Sequence, residues 1–203
     1  MSPPFFLAKM LKKQYPIIIF YKSIMKKSKW RVLNKRIIFN VPYHRIDQWK
    51  VKIPNGKVYS YNFNMGRDFV IIFALTKDNN VVLNDQYNLF FDKRALEIPA
   101  GFIDGGTALT AAKHELLEET GYKAKKWVKL GRASTGRWNS NFVSYYLALD
   151  AYCVGKQALE PSEDIKVKLM PIKNYIKLLR AGKIEYNTVT SCSYLALDKL
   201  GKL

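Results

Sequence analysis

The chain has 203 residues, 48% hydrophobic and 14% aromatic, enough to bury a core in one domain plus a small accessory piece. Its formal net charge of +18 is uneven: residues 1–46 hold 11 Lys or Arg and no acid, and the remainder carries 23 basic and 16 acidic residues. Two cysteines exclude a disulfide scaffold, two histidines exclude a histidine-rich zinc centre, and no apolar run approaches the ~20 residues of a membrane-spanning helix.

Residues 1–35 alternate short apolar patches (Pro4–Leu7, Ile17–Tyr21) with lysine clusters such as Lys12-Lys13 and Lys26-Lys27. This basic extension suits phosphates, nucleic acid or an anionic membrane surface. A targeting segment, a surface-lying amphipathic segment and a non-native extension remain open beside that reading. Cys153 and Cys192 read as reduced, buried residues of a cytoplasmic protein.

From Arg36 the pattern becomes β. Ile37–Val41 and Trp49–Ile53 predict strands, and Pro54-Asn55-Gly56 turns the chain into a third near Lys57–Asn62. Phe69–Leu75 is a short apolar run that fits a buried central strand, followed by a turn at Lys77–Asn80 and a strand at Val81–Asn84. Beyond Tyr122, Trp127–Ala133 and Phe142–Asp150 predict two more strands, Glu160–Val167 an acidic loop entering a strand, and Ile172–Ala181 and Asn187–Leu200 two helices.

Between them, Glu97–Tyr122 (EIPAGFIDGGTALTAAKHELLEETGY) carries the chemistry. Its second half predicts an amphipathic helix in which Glu115, Glu118 and Glu119 share one side, beside a stripe of Leu109, Ala112 and Leu116. Gly121 stands where such a helix ends in the left-handed conformation. Three acids within about two turns repel one another unless a cation sits between them. Gly101, Gly105 and Gly106 precede the helix and suit close backbone approach to a phosphate or metal. Together they point to a hard-cation site built from oxygen ligands.

At these residues the chain resembles the Nudix hydrolase family, whose box reads G-x5-E-x7-R-E-U-x-E-E-x-G-U with U a bulky apolar residue. HELLEETGY resembles the helix of that box, and EIPAG with FIDGG resembles its lead-in in the ADP-ribose pyrophosphatase branch. Two departures stand out. The loop is one residue short, with Gly106 or Thr107 where the first box glutamate falls, and His114 replaces the box arginine. Both halves of a supporting pair are thus absent, while the metal-type glutamates remain.

The resemblance covers roughly residues 46–200 and implies an α/β/α sandwich with a mixed sheet, plus a small N-terminal β subdomain. The domain expectation is a basic extension at 1–35, the subdomain at 36–66, involved in dimerisation and adenine binding, and the hydrolase domain at 67–203. Glu115, Glu118 and Glu119 would hold Mg²⁺ or Mn²⁺ with the Ala100 backbone carbonyl. Glu163, with Glu160 as the alternative, would bind metal or orient the attacking water. Gln86, Tyr87, Gly101, Arg137 and Trp138 are the expected substrate contacts; Arg137 and Trp138 read equally as a surface arginine beside a buried tryptophan. Thr135 stands where proline is usual in that branch's substrate loop. The implied reaction is hydrolysis of a nucleoside diphosphate derivative, a nucleotide sugar or best ADP-ribose, to AMP and ribose 5-phosphate by a homodimer. A non-catalytic nucleotide-binding module and an enzyme of 5′-phosphorylated RNA are the alternatives.

Overall fold

The computed structural model describes residues 29–203. The basic run at 1–28, with the apolar patches expected there, lies outside the described residues. Ten strands and three helices follow: β1 (Arg31–Val41), β2 (His44–Lys52), β3 (Val58–Asn64), β4 (Phe69–Thr76), β5 (Asn80–Asn88), β6 (Lys93–Glu97), β7 (Ala100–Phe102), α1 (Ala108–Thr120), β8 (Tyr122–Ser134), β9 (Phe142–Cys153), β10 (Ile165–Pro171), α2 (Ile172–Arg180) and α3 (Asn187–Lys199). Among the described residues no helix is long and apolar enough to cross a membrane.

The described residues divide into two compact units: residues 29–36 with Gln48–Tyr61, and Ile37–Asp47 with Asn62–Leu203. β1, β2 and β3 pair in that order as a three-stranded sheet. Within the first unit, Lys35 Nζ stands 3.6 Å over the Trp49 ring, and Arg36 donates to Gln48 through two nitrogens at 3.1 and 2.8 Å. The expected Pro54-Asn55-Gly56 turn is present, closed by Gly56 N–H to the Ile53 carbonyl. β1 begins at Arg31 and β2 at His44, ahead of the expected starts at Ile37 and Trp49, because their pairing carries the strands past the apolar runs that announced them.

The second unit is built on a seven-stranded mixed sheet in the order β10-β5-β4-β9-β8, with β6 added to β5 and β7 to β4. β4 and β9 run parallel and the remaining pairs antiparallel. β4 explains the layering. Its side chains alternate faces with a period of two, and both faces are covered, so the run is apolar throughout. Val70, Ile72 and Ala74 pack with Val82, Ala112, Leu116 and Tyr146 under α1. Ile71, Phe73 and Leu75 pack with Tyr175, Leu179, Cys192 and Leu197 of α2 and α3. This is the expected α/β/α sandwich.

The short strands β6 and β7 were not foreseen, and Cys153 departs from expectation. Cys192 is buried, but Cys153 is exposed where β9 leaves the sheet.

α1 stops at Gly121 for a local reason. Its φ is 72°, its N–H donates to Leu117 O at 2.7 Å, and its carbonyl accepts from Val154 N at 2.8 Å. A Cβ there would both strain the left-handed backbone and collide with the Gly155 carbonyl. Gly121→Ala should therefore lose at least ~1–2 kcal/mol of stability, measured by urea unfolding; an unchanged midpoint would contradict this account of the helix end.

Candidate active site

The first turn of α1 is closed by Thr107, whose hydroxyl accepts from Thr110 N at 3.1 Å. Ala111, Ala112 and Leu116 then seat the helix on the sheet. That seating sets the three acids at three depths. Glu118 is exposed, Glu115 half-buried and Glu119 buried, with 5% of its surface accessible.

Glu119 Oε2 accepts from Asn84 Nδ2 and from the Ala100 amide, each at 2.9 Å. The Ala100 contribution seen here is thus its N–H, which orients a carboxylate. Burial, then the Glu115 and Glu163 charges, outweigh these two hydrogen bonds and push the Glu119 carboxyl up to about 8. Glu115 lies against Gly101: a Cβ at that position would fall on its carboxyl group. Burial first, then Glu118, Glu163, Glu160 and Asp104, push Glu115 up to about 7.

Glu160 and Glu163 therefore join this cluster electrostatically, from a loop that is pinned to the helix. Gln157 Nε2 donates to the carbonyls of Glu119 (2.6 Å) and Ile165 (3.2 Å), and Ala158 N donates to Glu118 O at 2.8 Å. Within the loop, Glu160 N donates to Glu163 Oε2 at 2.9 Å and Glu163 N to Glu160 O at 3.0 Å.

The donor set is oxygen-only and mutually repulsive, which is the chemistry a hard divalent ion such as Mg²⁺ or Mn²⁺ takes. The glycine at 101 keeps the approach to Glu115 clear of a side chain. Asn84 Oδ1, buried beside the Glu119 contact, has no hydrogen-bond partner among the described residues. Among those residues no three acidic, histidine or cysteine side chains already converge on one coordination point. The fit is one of donor type and neighbourhood.

The other sequence-predicted residues fall elsewhere. Gln86 is half-buried on β5, opposite Ile165 of β10 and Ala95 of β6. Tyr87 donates its hydroxyl to Asp92 at 2.7 Å. Arg137 is exposed on the loop before β9, and Trp138, 46% exposed, packs its ring 5.9 Å from Phe63. His114 is exposed and faces a groove with Lys113, Lys123, Lys125, Trp127 and Tyr152.

Sequence reasoning missed a cleft of about 550 Å³ lined by Tyr43, His44, Arg45, Arg67, Phe102 and Asn141. Phe102 directly follows Gly101. The Arg67 guanidinium stacks 4.0 Å from the Phe102 ring and pairs with Asp104 at 2.6 Å. A cation laid on an exposed aromatic ring beside the carboxylates suits a planar base or a phosphate. The only sequence signal was Phe102 inside the glycine-rich lead-in; Arg67 sits in no pattern.

The family model of the NUDIX domain matches residues 65–191. An ADP-ribose pyrophosphatase of Bacillus subtilis is 25% identical over 179 residues, spanning 86% of this chain and 97% of its own. A methanol dehydrogenase activator of Bacillus methanolicus is 25% identical over 154 residues, spanning 73% of this chain and 83% of its own. The crystal structure of an ADP compounds hydrolase superposes with a TM-score of 0.76 at 22% identity, covering 87% of this chain and 98% of that one, a likeness of fold.

Gly101→Ala tests the crowding around Glu115. The backbone there is not left-handed, and the obstacle is the movable end of a side chain. The variant should fold with a near-unchanged melting temperature but bind Mn²⁺ about 10-fold or more weakly by calorimetry; wild-type affinity would remove Glu115 from the cation site.

Proposed function

The chain belongs to the Nudix family, and from that premise we propose that it hydrolyses the pyrophosphate bond of a nucleoside diphosphate derivative, with ADP-ribose the preferred substrate and AMP and ribose 5-phosphate the products. The observation that carries this reading is the buried-to-exposed row Glu119, Glu115, Glu118, faced by the Glu160–Glu163 loop. It stands beside a cleft in which Arg67 lies on Phe102.

Glu115, Glu118, Glu119 and Glu163 would hold Mg²⁺ or Mn²⁺, which when bound would supply charge neutralisation at the pyrophosphate and a more acidic water. The chain's own groups do the rest. Asn84 and the Ala100 amide fix one oxygen of Glu119, leaving the other to turn toward the site. Glu163, or Glu160, accepts the proton of the attacking water as its oxygen bonds to phosphorus and the bridging P–O bond breaks. Arg67 and Phe102 receive the base or its phosphate.

We assign a homodimer and a cytoplasmic setting to the same reading. The exposed apolar residues of β1, among them Ile37, Phe39 and Val41, support a partner surface. A non-catalytic binding module is the second reading. It is favoured by His114, which faces a groove of lysines where the family's box arginine would brace a glutamate.

The test is a product screen with Mg²⁺ and Mn²⁺ over ADP-ribose, nucleotide sugars, dinucleoside polyphosphates, NADH and triphosphorylated RNA. It follows new phosphomonoesters through the phosphate that an added alkaline phosphatase frees from them, or AMP itself by chromatography. ADP-ribose should be turned over fastest. Glu118→Gln and Glu119→Gln should each lower kcat by orders of magnitude with the fold intact, and Mg²⁺ should raise the melting temperature of the wild type and not of these variants. ADP-ribose that stabilises the protein without being consumed would promote the binding module.

A further inference from the structure

Among the described residues, the hydrogen bonds that tether the Glu160–Glu163 loop to α1 lie at its start, from Gln157 and Ala158. Its two glutamates bond mainly to each other. The far end, one residue past Glu163, is held by a side chain from a different part of the fold. Arg94, on β6, reaches across β5 to the head of β10. One of its terminal nitrogens donates to Asp164 Oδ2 at 2.8 Å; the other donates to Asp164 O at 3.1 Å and to the Asp85 carbonyl. The Asp164 carbonyl also accepts from Tyr87 N at 3.3 Å.

Arg94 is itself fixed. Its Nε lies 3.2 Å from Asp85 Oδ1, and the other Asp85 oxygen pairs with Lys168 Nζ at 2.6 Å. Asp85 is 7% exposed, and two cations compensate its charge. Burial works against that charge, but Lys168 and Arg94 outweigh it and hold the carboxyl below its ordinary value. A planar guanidinium suits this task because its donors diverge in a rigid fork, one toward the loop and one toward the strand. An ammonium at the same place would lose that fork.

We propose that Arg94 is a positioning residue for hydrolysis: by clamping Asp164 to Asp85 across β5, it sets the Glu160–Glu163 loop at the distance from Glu115 and Glu119 that the reaction needs. This rests on the reading that the loop acts at the carboxylate cluster. Arg94 touches no reacting atom. Its effect is to remove freedom from the half of the loop that Gln157 leaves unheld, and displacements of about 1 Å at a reacting centre cost about 100-fold in rate.

The experiment uses the full chain with ADP-ribose and Mg²⁺ and compares Arg94→Lys, Arg94→Ala, Glu163→Gln, Glu160→Gln and the pairs of Arg94→Ala with each glutamine variant. Lys168→Met is the structural control, since it takes a cation from Asp85 without touching the loop. Arg94→Ala should lower kcat by about 10- to 100-fold with KM within about 3-fold. Arg94→Lys should restore the melting temperature but not the rate. Paired with whichever glutamine variant is slow, Arg94→Ala should add little further loss, because both act through one loop. Lys168→Met should lose stability and keep kcat. Full rescue of kcat by Arg94→Lys, or losses that multiply in the pair, would overturn the positioning role while leaving the catalytic reading standing. Wild-type kcat in both glutamine variants would instead overturn the reading of the loop and the proposal with it.

Discussion

The carboxylate of Glu119 is the constraint around which this molecule is arranged. An ionised carboxylate taken out of water costs several kcal/mol unless hydrogen bonds or an opposite charge compensate it. Here two donors converge on one oxygen, the Asn84 amide from β5 and the Ala100 N–H from β7. They do not cancel the penalty, since the group is still held well above its ordinary range. A buried acid left in that condition is destabilising by itself. A hard cation would compensate it and relieve the repulsion from Glu115 and Glu163 at the same time. Stability is thereby reduced at the place where chemistry needs charge.

That arrangement dictates several local features. Ala112 and Leu116 must anchor α1 closely enough to the sheet for Glu119 to reach Asn84, and both are fully buried. The strand carrying Ala100 must present its amide toward the helix, which its pairing with Ile71 of β4 permits. Position 101 must lack a side chain, because Glu115 occupies that space. The helix must end abruptly at Gly121, so that the chain can return through Val154 to Ala158 along the helix end and bring Glu160 and Glu163 to bear.

Much of this was legible in the sequence. Period-two and period-3.6 patterns located the three helices and a segment of each long strand, although β1, β2 and β8 each begin five or six residues ahead of the expected run, and the spacing of the acids placed them on one face. Their depths were not legible, because depth follows from where the helix meets Asn84, 35 residues away. β6 and β7 escaped because they hold five and three residues, one with Lys93 and Arg94 in it and the other just after Pro99. Too few positions alternate there to register as strand. The Arg94–Asp164 clamp joins residues 70 apart through a charge pair that no periodicity announces. Cys153 misled in the opposite sense: cysteine is commonly buried, but this one is exposed at the last residue of β9, paired with Tyr122.

The altered box can be judged on the same physical terms. A supporting arginine at position 114, mid-helix, paired with a glutamate in the preceding loop would limit how α1 shifts over that loop. In this chain neither member is present, yet other contacts restrict both ends of the helix. Thr107 caps the start through Thr110 N, and the carbonyls of Leu117, Glu118 and Glu119 at the end accept from Gly121, Ala158 and Gln157. Three restraints at the C-terminal turn act on the backbone of Glu118, Glu119 and the neighbouring Leu117, whereas a brace from position 114, in the middle of the helix, acts beside Glu115. His114 is then released from any duty toward a carboxylate, which agrees with its exposure beside Lys113. What such a substitution leaves less restrained is the Gly105–Gly106 turn and, through it, the approach to Glu115. Of the helix acids, Glu115 is the one whose surroundings depend most on that loop, because Gly101 on β7 forms its wall.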